Sequence, residues 1–189
     1  MKFTVRTLIE PLGNEARLDL VCRTFSSMVR TTYNQILEGK QTNKIVNILK
    51  TRYGIENWRW CQWAILQAQT TINSQRELLP LYVEMYAEKI ARVRRKMTHA
   101  DSRKKTGYLA RIRKLERQKA RVEKHVEAGT VPPAVFGSCR LLEKTLKDNV
   151  LREEWRRRRA NQFFSVGQAN CGGNANTRIK RDYMLEVRN

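Results

Sequence analysis

Apolar and polar positions alternate from Lys2 to Ile9, with Phe3, Val5, Thr7 and Ile9 on one side, and Pro11, Gly13 and Asn14 follow. A period of two closed by turn residues predicts a strand and a turn. From Glu15 the period lengthens: Leu18, Val21, Phe25, Met28, Val29, Tyr33 and Ile36 fall at helical spacing as far as Gly39. A shorter helix is predicted over Ile45, Val46, Leu49 and Tyr53, capped by Gly54, and another over residues 56–78, stopped ahead of Pro80. Leu79, Val83, Tyr86, Ile90, Val93 and Met97 then step by four and three, as do Tyr108, Ile112, Leu115, Lys119, Val122 and Val126. With the polar breaker of residues 98–107 between them, these two runs predict an antiparallel helical hairpin packed along one apolar seam. Lys119, inside that seam, is either a register device or a side chain whose charge reaches out to water.

The pattern changes at Pro132 and Pro133. After a short apolar piece at Val135 and Phe136, a helix is predicted from about residue 141 to 160, burying Leu142, Leu146, Val150, Leu151 and Trp155. Phe163, Phe164 and Val166, then Thr177 and Ile179, then Tyr183 to Val187 read as short strands. Gly167, Gly172, Gly173 and Asn174 supply positive-φ positions for the first connection. The plain alternative for that glycine-rich loop is an ordinary hairpin connection.

Charge decides what such a chain is for. Of 189 residues, 38 are Lys or Arg and 18 are Asp or Glu, a formal charge of +20, while 41% hydrophobic content provides for a folded core. An excess of this size calls for a polyanionic partner. Much of it lies on the hairpin, where Arg92, Arg94, Arg95, Lys96, Arg103, Lys104, Lys105, Arg111 and Arg113 have few acidic neighbours one turn away. The alternatives are a solvated helix face or a rail for a phosphate backbone, and the scarcity of acidic partners favours the rail. Arg156, Arg157, Arg158 and Arg159 end the last helix. The macrodipole favours cations there, though four in succession exceed that need.

The other chemistries recede. No apolar run reaches about 18 residues and neither end carries a lipidation or secretion signal, so the expectation is a cytoplasmic protein without a membrane partner. Cys22, Cys61, Cys139 and Cys171 stand tens of residues apart with only His99 and His125 as imidazoles, which suits reduced, mostly packed thiols better than zinc. Glu153, Glu154, Glu84 and Glu88 sit among basic residues on helices, as surface partners more than as metal ligands.

The succession of VFGS at 135–138, a helix ending EEWRRRRANQFFSVGQAN, and GGNANTRI, preceded by KFTVRTL, RTTYNQIL and WCQWAILQAQTTI, resembles the N-terminal half of the TnpB-type transposon RNA-guided nucleases and the compact type V CRISPR effectors. The resemblance implies an α+β fold: a small antiparallel wedge or OB-like β-barrel formed by the N- and C-terminal strands, with a helical recognition lobe inserted between them. The implied domains are residues 1–13 (wedge), 14–131 (recognition lobe) and 132–189 (wedge). It also implies binding to guide RNA, to target DNA and to a short flanking DNA motif, with sequence choice delegated largely to base pairing. Gln62 falls where such a protein reads a base, and glutamine can make two hydrogen bonds to adenine. Trp60 and Trp63 beside it suit a core better than stacking platforms. The candidate nucleic-acid-binding residues are Gln62, Arg94, Arg95, Lys104, Lys105, Arg156, Arg157, Arg158, Arg159, Gln162, Asn174 and Arg178. In that family a RuvC-like C-terminal half holds the magnesium ions, so the expectation for this chain is a non-enzymatic lobe without a cofactor, working with a nuclease half or a second copy. Two alternatives stand beside it: a stand-alone basic RNA- or DNA-binding protein that uses no guide, and a structural protein whose charge only solubilises it.

Overall fold

The computed structural model describes residues 4–8, 13–147, 152–160, 162–165, 176–180 and 184–188. Helices dominate them: α1 (Glu15–Leu37), α2 (Thr42–Tyr53), α3 (Trp58–Thr98), α4 (Ser102–Glu127), α5 (Cys139–Lys147) and α6 (Arg152–Arg159). Four short strands accompany the helices, β1 (Thr4–Leu8), β2 (Gln162–Ser165), β3 (Asn176–Lys180) and β4 (Met184–Arg188). The chain forms two compact units, one of residues 1–70 with 135–189 and the other of residues 71–134. The division falls inside α3, so α1 and α2 group with the strands, where the sequence had assigned residues 14–131 to one lobe.

The expected α+β barrel is overturned. Among the described residues the fold is mainly helical, and the strands form one open antiparallel sheet in the order β1-β4-β3-β2. Closure would require β1 to pair with β2, and four strands of four or five residues are too few and too short to curl into a filled barrel. Instead β1 pairs with β4, Val5 opposite Val187 and Thr7 opposite Leu185, while Ile179 of β3 lies opposite both Leu185 and Phe163. Phe163 meets Phe25 of α1 edge to face, ring centroids 5.1 Å apart, so α1 packs against β2.

The core of this unit is the apolar stripe of α1, with Cys22, Phe25, Met28, Val29 and Tyr33 buried, packed with Ile45 and Leu49 of α2 and with Cys61, Ala64, Ile65 and Ala68 of α3. Trp60 and Trp63 are half-buried against Phe163, at 5.3 and 5.9 Å, as core aromatics. Gly54 closes α2 in the left-handed conformation, donating its N–H to the Lys50 carbonyl. Of the helix expected over residues 141–160 the described residues hold α5 and α6; Leu141 and Thr145 are the buried residues of α5, and Leu146, expected in the core, is 80% exposed. Val150, Leu151, Val166, the glycine-rich connection with Asn174, and Cys171 lie outside the described residues.

In the second unit α3 does not stop at Pro80. Ile72, Leu79, Ile90 and Val93 keep one buried stripe in phase across it, and Arg76 and Pro80 are both exposed. Water can therefore satisfy the Arg76 carbonyl to which a proline cannot donate. Ile90, Val93 and Ile112 form the hairpin core, with Met97, Tyr108 and Leu115 against it. Arg94 bonds Glu116 at 2.9 Å and Gln75 donates to the Pro132 carbonyl at 3.0 Å, so index falls along the second arm as it rises along the first: the arms are antiparallel. The breaker is shorter than predicted, since α4 already begins at Ser102 and Arg103, Lys104 and Lys105 form its first turn. Half-buried Lys119 sends its ammonium to Glu123 at 2.8 Å, out of the seam.

Candidate nucleic-acid interface

Polar residues beside the apolar stripe of α1 begin the site. Arg23, Ser27 and Arg30 step by four and three, which puts them on one face, and α6 brings Arg156, Arg157 and Arg159 to the same place. Together with Glu153 and Ala160 they line a cleft of about 640 Å³ in which, among the described residues, five arginines face one carboxylate.

Each arginine is held differently. Half-buried Arg30 donates from Nη1 to the Arg159 carbonyl at 2.7 Å, tying α1 to the C-terminus of α6. Burial, then the positive charge of Arg159, push its guanidinium below the ordinary value, with Tyr53 acting the other way. An anion entering the cleft would counter the charge of Arg159. Arg159 lies over the indole of Trp155, 4.3 Å from the ring centroid. Arg156 bonds Glu153 at 2.7 Å, and Arg23 stands 3.7 Å from Asp19. Arg157 is exposed and takes part in no ion pair among the described residues. Below them the Tyr53 hydroxyl is held at 2.8 Å by both Ser27 Oγ and Thr31 Oγ1, fixing α2 against this face of α1.

Gly137 explains how the wall of the cleft packs. Its φ is 102°, and a Cβ there would stand 3.0 Å from Arg159 Cγ and 3.2 Å from Trp155 Nε1. The backbone thus approaches the stacked pair as only glycine permits. Trp155 Nε1 is buried and has no hydrogen-bond partner among the described residues.

The sequence-predicted residues do not assemble into one site. Arg156, Arg157 and Arg159 enter the cleft; Arg158 bonds Glu154 at 3.0 Å and is not part of the lining. Gln62 is exposed near the start of α3, next to Trp58, which is 47% exposed. Gln162 and Arg178 belong to β2 and β3, with Gln162 paired to Lys180 and Arg178 to Phe164. In the other unit Arg94 is committed to Glu116, while Arg95, Lys104 and Lys105 are exposed. Sequence reasoning missed Arg23, Ser27 and Arg30. Their signal was present as a second helical stripe, adjacent to the apolar one in α1.

Among the described residues no three His, Cys, Asp or Glu side chains converge as metal ligands. None of the described helices is long and apolar enough to cross a membrane. Cys22 and Cys61 are buried, Cys139 is exposed, and burial pushes the Cys61 thiol up against the opposing effects of Lys50 and a backbone hydrogen bond.

Fold and cleft define a mainly helical protein with a small terminal sheet and an arginine-lined cleft. By sequence the chain matches the SSO2105 N-terminal domain family over residues 2–188, and it belongs to that family. No match was found among curated proteins or among solved structures.

Proposed function

We propose that this chain is a nucleic-acid-binding module that grips RNA by its phosphates in the cleft between α1 and α6. The observation that supports this most is the convergence of Arg23, Arg30, Arg156, Arg157 and Arg159 on one space with a single carboxylate among the described residues. Guanidinium forks match phosphate oxygens in charge and in bidentate geometry, and a half-buried one makes the stronger bonds of a less polar surrounding. The formal charge of +20 supplies long-range attraction for such a polyanion. Guide RNA as the partner, target DNA as a second one, and base reading by Gln62 rest on the sequence motifs alone.

The test uses the exposed arginines, whose loss leaves the core intact. Arg157→Gln is expected to weaken RNA binding tenfold or more, the loss of one charge-assisted contact worth about 1.5–3 kcal/mol, measured by filter binding at fixed salt. Affinity unchanged by Arg157→Gln and by Arg23→Gln would remove the cleft from the function. Sequencing of copurified RNA separates the two nucleic-acid readings. One defined RNA species supports a guide complex, and indifferent binding to any polyanion supports a stand-alone binder.

A further inference from the structure

The unit of residues 71–134 carries a second concavity that owes nothing to the arginine cleft. It lies at the turn end of the hairpin, about 490 Å³, with a floor of Met97, Leu109 and Ile112 and a rim of Arg94, Arg95 and Arg113. Leu109 is 45% exposed, so part of that floor is open to water. On the rim Arg94 is neutralised by Glu116 at 2.9 Å, whereas Arg95 and Arg113 take part in no ion pair among the described residues.

We propose that this groove takes one unstacked nucleobase of a single-stranded segment, with its flanking phosphate on Arg95 and Arg113. A nucleotide joins a flat, largely apolar ring to an anionic phosphate, and the groove offers an apolar floor beside two uncommitted cations. Its volume falls in the range of about 300–1,000 Å³ usual for small-molecule sites. A duplex presents only phosphates to such a surface because its bases are stacked away, so it leaves the open leucine uncovered. The groove therefore favours single strands over duplexes. An acidic peptide would satisfy the arginines, but its carboxylate side chains would leave the apolar floor uncovered.

Photocrosslinking of the full chain with a single-stranded oligouridylate carrying 4-thiouridine tests this, with a blunt RNA duplex of equal length as competitor. Crosslinks are expected on peptides containing Met97 or Leu109, competed poorly by the duplex. Leu109→Asn, a neutral change at an exposed position, is expected to lower single-strand affinity about fivefold while duplex affinity changes less than about twofold. Arg95→Gln with Arg113→Gln is expected to lower both, with a salt slope smaller by about 2. Circular dichroism verifies that each variant keeps its helices. Crosslinks lying wholly elsewhere, unchanged single-strand binding in Leu109→Asn, or displacement of the oligonucleotide by an acidic peptide at equal concentration would each overturn the proposal. The Arg157→Gln variant keeps the two sites distinguishable: the tip crosslinks persist in it whether or not the α1–α6 cleft binds RNA.

Discussion

Gly137 and its two neighbours show how much of the site hangs on single residues. At a φ of 102° an L side chain is strained, and the added methyl would meet Arg159 Cγ at 3.0 Å and the Trp155 indole edge at 3.2–3.3 Å. Gly137→Ala is therefore expected to destabilise the chain by roughly 1–3 kcal/mol, read as a lower urea midpoint, and to weaken RNA binding through displacement of Arg159. A midpoint equal to wild type would mean that the wall of the cleft is loosely packed. Cys61 makes a pH prediction of defined sign. Burial raises its thiol pKa, so above the unfolded value of about 8.5 the native state holds a proton that the unfolded chain has lost. Stability contributed there is complete below that value and declines as pH rises toward the native one. The urea midpoint is expected to fall from pH 8 to pH 10 by less in Cys61→Ala than in wild type. The residue types behind these effects are visible in the sequence, but the approach of Gly137 to Trp155 is a tertiary fact that no local pattern encodes.

At the scale of elements, periodicity located α1, α2 and both arms of the hairpin because each carries an unbroken apolar stripe beside a polar one. It failed where a local stop signal met tertiary packing. Pro80 ends a helix by rule, yet the stripe from Ile72 through Leu79 to Ile90 holds α3 together through it, with the affected carbonyl on the solvent side. Pro80→Ala should then restore a hydrogen bond without loss of packing and raise stability by up to about 3 kcal/mol, visible in chemical unfolding followed by circular dichroism. A destabilised variant would show instead that the proline ring itself contributes to the stability of α3. The barrel expectation failed for a related reason: alternation reveals strands but not what covers them. Here Phe25 of α1, with Trp60 and Trp63, meets Phe163, and the sheet stays open between β1 and β2.

For the molecule as a whole, composition pointed to an anionic partner, and the arginine run at 156–159 marked one wall of the cleft. The other wall was legible only in part. Arg23 and Arg30 are 126 or more residues from that run in sequence, and no spacing rule joins α1 to α6; the Arg30 bond to the Arg159 carbonyl does so in three dimensions. Within α6 itself Arg158 pairs with Glu154 one turn back, and that one of the four successive arginines is not part of the lining. The central claim is that cleft arginines displace counterions from RNA phosphates, and the most direct measurement is the slope of log affinity against log salt for wild type and for Arg156→Gln with Arg157→Gln. The expected result is a steep negative slope in the wild type, reduced in magnitude by about 2 in the double variant. Parallel lines for the two proteins would contradict it, because the phosphates would then be neutralised elsewhere.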